Sequence, residues 1–251
     1  MTRGMELKDH IAIVTGGGSG LGRAMANRLA AEGIPITVAD INIEAAQRTV
    51  GEIEAAGGRA SAVAGDVSDP DGVAGIFAHG REAFGECSLL CNNAGHVEQV
   101  PFLDITVEQF DRMLAVHMRG MFMCAQAALP PMLAAGDGVI INTASQLGHL
   151  GGIEVAHYAA AKAGIMGLTR SMAREFSTRG VRVFAVAPGA TRTPILESIS
   201  EEWLEAKRAE LPLGRFAEPE EIAETVAFLA GPVSGAFVGQ TLNPNSGDIM
   251  L

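Results

Sequence analysis

The chain has 251 residues, 48% of them hydrophobic, with 31 glycines against one tyrosine and one tryptophan. That profile suits one compact α/β domain and excludes a disordered or fibrous chain. Acidic residues outnumber basic ones 29 to 18, a net charge of −11, so the long-range field repels phosphate backbones and argues against a nucleic-acid partner.

The N-terminal MTRGMELKDH has neither an apolar core segment nor a small-residue cleavage site, and no apolar run reaches the roughly 18 residues of a membrane span. A cytoplasmic protein with no membrane partner is expected. Cys87, Cys91 and Cys124 are odd in number, lack C-x-x-C spacing and sit among apolar residues. They read as reduced core residues, and no metal site is expected.

The predicted elements alternate from the start. The apolar run Ile11 to Thr15 ends in glycines, and helical periodicity follows at Leu21, Met25, Leu29 and Ala30. Strands are expected at Ile36 to Ala39, Ala60 to Ala64 and Leu89 to Cys91, with helices at Ile43 to Ala56 and Pro70 to Phe84. Such alternation builds βαβ units and a parallel sheet. A long helix from Thr106 to about Leu129 precedes a strand at Val139 to Thr143, a helix at His157 to Ser177 and a buried strand at Val181 to Ala187. Gly189 to Phe216 is longer than an ordinary connection and reads as a functional lid. A helix from Pro219 to Leu229 and a strand from Phe237 to Leu242 close the sheet. One domain spanning 1–251 is expected, a Rossmann-like doubly wound sheet.

The first strand-to-helix turn reads VTGGGSGLGRA, Val14 to Ala24. Gly17 to Gly22 has P-loop spacing, but Arg23 and Ala24 stand where a P-loop needs lysine and a hydroxyl, which excludes an NTPase. In a dinucleotide turn, Gly16, Gly20 and Gly22 would give the tight bend, the close approach of a pyrophosphate and a helix N-terminus that attracts it. A merely tight turn would use the same glycines. Asp40, closing the second strand, fits an acceptor for adenosine-ribose hydroxyls that repels a 2'-phosphate, which favours NAD over NADP. Alone it would equally serve as a helix cap. Asp66 and Asn92 admit two readings each, a cofactor or strand contact and a turn residue.

The only tyrosine, Tyr158, lies four residues before Lys162 in AHYAAAKAG, so the two share a helix face roughly 6 Å apart. Such a pair often simply sits at a surface. Ser145, just beyond the strand Val139 to Thr143, adds a hydroxyl that can hold a substrate oxygen. Oxidising an alcohol needs a base, and a phenol of pKa ~10 is only about 0.1% ionised near neutral pH. Bringing it to about 7 takes about 4 kcal/mol, which an ammonium about 4 Å away supplies at an effective dielectric of about 20. On this reasoning Lys162 nearly suffices to activate Tyr158.

At this point the chain resembles the short-chain dehydrogenase/reductase family in its common single-domain form. The resemblance rests on Thr15-Gly16-x-x-x-Gly20-x-Gly22, Asp66-Val67, Asn92-Asn93-Ala94-Gly95, Ser145, Tyr158-x-x-x-Lys162, Pro188-Gly189 and Thr193, in that order over nearly the whole length. It implies Tyr158 as acid/base, Ser145 orienting substrate, and Lys162 lowering the tyrosine and binding the nicotinamide ribose. It further implies an NAD site along Gly16, Gly18, Ser19, Gly20, Leu21 and Gly22, with Asp40, Ile41, Asp66 and Val67 at the adenosine end. Asn93, Ala94 and Gly95 would line the cofactor, and Pro188, Gly189, Thr191 and Thr193 the nicotinamide end.

Two departures from the family stand out. Its central helix carries an asparagine that supports a proton relay, and His117, in VHMRGMF, takes that place here. If the relay runs through a backbone carbonyl at a helix irregularity, histidine preserves it, and an imidazole can itself carry protons. The alternative is a packed helix residue. The second departure is LNPNSGDIML at the C-terminus, in place of the family's VDGG-like strand end.

The substrate, a moderately hydrophobic secondary alcohol or ketone, is expected between the lid and the segment bearing Ser145, Gln146, His149 and Tyr158. Ile195, Ile199 and Trp203 would give the lid an apolar stripe. The helices from Thr106 and His157 resemble the family's pairing surfaces, so a homodimer or homotetramer is expected. The rival reading is an NAD(H)-binding sensor with weak or no turnover, motivated by His117.

Overall fold

The computed structural model describes residues 6–193 and 201–251. Strands β1 (Ala12–Thr15), β2 (Ile36–Asp40) and β3 (Ala60–Ala64) alternate with helices α1 (Gly20–Ala31), α2 (Ile43–Ala55) and α3 (Pro70–Phe84). Then come β4 (Leu89–Asn92), α4 (Val107–Leu114), α5 (Gly120–Ala135), β5 (Gly138–Thr143), the short α6 (Leu147–Leu150), α7 (Ala156–Phe176) and β6 (Val181–Val186). Helices α8 (Glu201–Glu210) and α9 (Pro219–Ala230) and the two-residue β7 (Thr241–Leu242) finish the chain. All strands pair in parallel in the order β3-β2-β1-β4-β5-β6-β7.

The apolar strand runs are continuous because both faces of the sheet are covered, and their residues divide by twos between two cores. Val14, Leu89, Cys91, Val139 and Ile141 pack with Met25 and Leu29 of α1 and Ile222 and Val226 of α9. Their strand neighbours Ile13, Leu90 and Ile140 pack on the opposite face with Val73 and Ile76 of α3 and Cys124, Ala128 and Met132 of α5. The three cysteines are free and buried, and burial pushes the Cys87 and Cys124 thiols up to about 12. They are packing residues, as expected.

Three expectations need correction. The helix expected from Thr106 to about Leu129 is two α-helices joined by a π-helical turn, Ala115–Arg119, around His117. It also continues through Pro130 and Pro131 to Ala135, because Met132 is fully buried against Gly138, where a Cβ would lie 2.5 Å from its Cγ. The strand expected from Phe237 to Leu242 shrinks to Thr241–Leu242, and Pro232–Phe237 is a 3₁₀ segment. The apolar character of that segment serves packing, as in the edge-to-face contact of Phe228 with Phe237 at 5.4 Å.

The strand order reverses between β1 and β4, and the crevice at such a switch point is where α/β sheets bind ligands. Beside it a buried polar chain spans the sheet: Asn92 Nδ2 donates to Asn142 Oδ1 at 3.0 Å, and Asn142 Nδ2 to Thr169 Oγ1 at 3.0 Å. Replacing Asn142 with leucine would leave a buried amide and a hydroxyl unsatisfied. The Asn142→Leu protein should lose about 2–3 kcal/mol of stability, read as a lower urea midpoint with an unchanged m-value.

Candidate functional site

The turn after β1 is shaped by glycines whose missing side chains are structural requirements. Gly16 has φ +62°, and a Cβ on Gly22 would lie 2.0 Å from the Gly16 carbonyl oxygen. A Cβ on Gly16 would meet Ala94 Cα at 2.8 Å. The β4 side is tied to this turn by Asn93, whose Nδ2 donates to Thr15 O and Gly16 O at 3.2 Å each, and whose backbone N–H donates to Thr15 Oγ1 at 3.0 Å. Ser19 stands at the N-cap of α1 without a side-chain cap hydrogen bond. The helix therefore presents its first-turn N–H groups and the positive end of its dipole to a ligand.

Asp40 faces this turn. Its Oδ2 accepts from Gly18 N at 2.9 Å and its Oδ1 from Asn42 N at 2.9 Å, leaving each oxygen a second lone pair. Ile41 beside it is 75% exposed, an unspent apolar face next to that carboxylate. Asp66 accepts from Ser68 N and Oγ at 2.8 and 2.7 Å. Val67 turns its side chain into the core, where a Cβ on Gly120 would meet its Cγ2 at 2.9 Å. An uncapped helix start, a close glycine turn and a lone-pair-bearing carboxylate at the end of β2 fit a dinucleotide.

Ser145, Tyr158 and Lys162 converge beyond the end of β5. Lys162 is 4% exposed, its Nζ donates to Thr143 O at 2.7 Å, and it lies 5.5 Å from the centre of the Tyr158 ring. Burial pushes this ammonium down to about 7. Burial also holds Tyr158 above its ordinary 10.0, with a hydrogen bond to Ser145 pulling the other way. In the free protein, burial thus works against the activation expected from Lys162. The desolvation that would strengthen the ion pair first penalises each charge.

The π turn carries His117 under this site. Its ring, 2% exposed, meets Tyr158 edge-on at 5.4 Å. Nε2 lies 2.8 Å from His96 O and 3.1 Å from His96 N, while the buried Nδ1 has no partner. A Cβ on Gly95 would sit 2.2 Å from His117 Cε1, so Gly95 is glycine to admit the ring. Burial, reinforced by the Lys162 charge, pushes the imidazole down to about 2. An imidazolium is therefore costly there, whereas the π turn is the helix irregularity that a carbonyl route needs.

The remaining expected residues divide. Gln146 is buried, and its amide turns away to Asp248, Nε2 to Oδ2 at 2.6 Å. His149 is exposed on α6. Pro188 O accepts from Gln146 N at 3.1 Å, Gly189 N donates to Pro244 O at 3.1 Å, and Thr191 Oγ1 donates to Gly189 O at 3.0 Å. Thr193 reaches back to the glycine turn, its Cγ2 3.6 Å from where a Cβ on Gly20 would be. Ile195 and Ile199 lie outside the described residues, and of Trp203 only its backbone place on α8 is described. Sequence reasoning missed Asp248 and Lys207, which form a 2.8 Å ion pair. The odd C-terminal stretch was the one signal pointing there.

A family model described as enoyl-(acyl carrier protein) reductase matches residues 16–247. Cyclohexanol dehydrogenase of Acinetobacter sp. (strain SE19) is 38% identical over 226 residues, 89% of this chain and 88% of that protein. The cis-4-hydroxycyclohexanecarboxylate dehydrogenase of Sinomonas cyclohexanicum is 37% identical, covering 97% of this chain and 98% of its own. A 3-oxoacyl-(acyl-carrier-protein) reductase of Staphylococcus aureus is 38% identical over 95% of this chain and 98% of its own. A crystal structure from Agrobacterium tumefaciens, provisionally assigned as a gluconate dehydrogenase, superposes with a TM-score of 0.94 at 31% identity over 98% of each chain. The fold and its site define a nicotinamide-dependent oxidoreductase. The chain belongs to the short-chain dehydrogenase/reductase family. These relatives do not favour the sensor reading. Among the described residues no helix is long and apolar enough to cross a membrane.

Since Tyr158 is the only tyrosine, its titration is directly visible as tyrosinate absorbance, with Tyr158→Phe as the blank. In the free protein the midpoint should lie above 10.0. A midpoint near 7 would show instead that Lys162 activates the phenol unaided.

Proposed function

We propose that this protein is an NAD(H)-dependent oxidoreductase of moderately hydrophobic secondary alcohols and ketones. The observation that carries the reading is the buried Lys162, anchored on Thr143 O at 2.7 Å with its Nζ 5.5 Å from the centre of the Tyr158 ring, next to Ser145 beyond the end of the same strand. When bound, the nicotinamide supplies the hydride acceptor or donor. Tyr158 Oη takes the proton of the substrate hydroxyl in oxidation and returns it in reduction. The Ser145 hydroxyl holds the reacting oxygen beside it, and Lys162 binds the nicotinamide-ribose hydroxyls and stabilises the phenolate. His117 acts through the π turn, where a backbone carbonyl would accept a hydrogen bond from a water that takes the proton from Lys162 and passes it to solvent.

NAD is preferred because the Asp40 carboxylate accepts ribose hydroxyls and repels a 2'-phosphate. Asp66 and Ile41 flank the adenine, while Gly189, Thr191 and Thr193 border the nicotinamide. Apolar Leu150 and Ile153, 60% and 90% exposed, follow Ser145 on the substrate side, which supports a hydrophobic alcohol. The relatives named for cyclohexanol and 4-hydroxycyclohexanecarboxylate agree with a ring-bearing secondary alcohol.

Self-association belongs to the same proposal. Leu114, Met118, Phe122 and Leu168 line an open groove along α4, α5 and α7, with Phe122 44% exposed. A second copy would cover this apolar face. Buried free thiols fit a reducing cytoplasm.

A panel of secondary alcohols and ketones with NAD(H) and NADP(H) tests the activity. Turnover is expected with NAD, Tyr158→Phe should lower kcat by about 1,000-fold while retaining NADH binding, and Asp40→Ser should narrow the NAD preference about tenfold. A panel without turnover, despite NADH binding, would overturn the assignment. Light scattering should give a multiple of 26.0 kDa, and a mass of one chain would remove the self-association.

A further inference from the structure

Asp248 sits in the C-terminal stretch that departs from the family pattern, and its side chain is 10% exposed. Each carboxylate oxygen has a separate task. Oδ2 accepts from Gln146 Nε2 at 2.6 Å, and Oδ1 accepts from Lys207 Nζ of α8 at 2.8 Å. One short carboxylate thus joins the residue after Ser145 to the helix of the expected lid. Its place is held by its own backbone, since Asp248 N–H donates to Asn245 O at 3.0 Å and Gly247, at φ +85°, packs on Pro212.

The consequence concerns charge. Residues 189–216 contain four cations, Arg192, Lys207, Arg208 and Arg215. Each has a carboxylate partner, respectively Glu218, Asp248, Glu201 and Glu221, at 3.0, 2.8, 3.7 and 2.7 Å. The arginines are 39–64% exposed, so water and salt weaken their hold on any ligand. Lys207, at 21%, is the one in a drier setting, and Asp248 cancels it. Lys207 also reaches Glu210 at 3.2 Å, but that side chain is 67% exposed. Arg112 of α4 is likewise paired, with Glu98 at 3.2 Å. The Gln146 contact works in the same direction. With Nε2 turned to Asp248, the buried Oε1 is left unpartnered against Gly189, an acceptor where a carboxylate would need a donor.

We propose that Asp248 is a specificity-determining residue: by neutralising Lys207 and turning the Gln146 amide, it makes this cleft select uncharged secondary alcohols and ketones over those bearing a carboxylate. This rests on the function proposed above. A carboxylate entering the cleft loses its hydration and finds no uncompensated cation on the lid side, since Lys162 is buried under Tyr158 at the reacting end, and such a loss is costly in a partly buried site. Removing the Asp248 charge leaves Lys207 with only the exposed Glu210, and so able to receive a carboxylate on its buried side.

The test reads binding rather than turnover, so it stands apart from the alcohol panel. Cyclohexanone and cyclohexanecarboxylate are titrated calorimetrically into the protein saturated with NADH. The wild type should bind the ketone at least tenfold more tightly than the carboxylate. Asp248→Asn should shrink that ratio at least tenfold, and adding Lys207→Met should restore it. Equal binding of the two ligands by the wild type, or no binding of the ketone, overturns the proposal without any variant. So does a ratio that Asp248→Asn leaves unmoved, or that the double variant fails to restore. Loss of turnover in the panel with the binding ratio intact would instead reject the oxidoreductase reading and leave the charge filter standing.

Discussion

The approach of Gly22 to the Gly16 carbonyl is the contact on which the rest of this protein depends. With only a hydrogen where a Cβ would lie 2.0 Å from that oxygen, α1 can begin directly at the edge of β1. Its first turn then points along the parting between β1 and β4. Asn93 locks the parting from the other side through both carbonyls of the turn. The sheet needs that brace because the two strands lead their chains to opposite flanks of the crevice, and no ladder hydrogen bond continues beyond Val14 and Cys91. Everything that gathers around the crevice, from Asp40 to Thr193, is placed relative to this turn.

Around the reacting atoms the governing effect is desolvation. The same packing that sets Tyr158 between Lys162 and His117 pushes the phenol up, lowers Lys162 and disfavours a charged His117. In the free protein the site is held near charge neutrality, which costs little in a dry setting. The carbonyl of Thr143 fixes Lys162 without adding a countercharge, so the ammonium keeps its full responsiveness to whatever anionic group forms nearby. The site is therefore preorganised in position while remaining undecided in charge.

The parts legible in the sequence are those whose physics is local. Strand and helix alternation, the glycine turn, Asp40 at the end of β2 and the i, i+4 pair of Tyr158 and Lys162 all follow from neighbours along the chain. The π turn does not, since Ala115 to Arg119 would sit equally well in an α-helix by local pattern, and the close packing of His117 on Gly95 in that turn joins residues 22 apart. The opposing pull of burial on the phenol was not legible, because burial, unlike spacing, cannot be seen in a one-dimensional string. Asp248 was missed for a related reason: its partners Lys207 and Gln146 are 41 and 102 residues away. A surface-looking acid in a tail became a buried connector only once the fold had brought three segments together.

The pairing of α1 with α9 bears on how the chain comes into being. Met25 and Leu29 share one core with Ile222 and Val226, and Arg28 bonds Glu224 at 2.6 Å across 196 residues. A ribosome delivers α1 well before α9. Throughout most of synthesis, the part of this core that α9 will cover waits open, although the opposite face has already received α3 and α5. The nascent chain thus matures one side at a time, and the side that carries the glycine turn is sealed at the end.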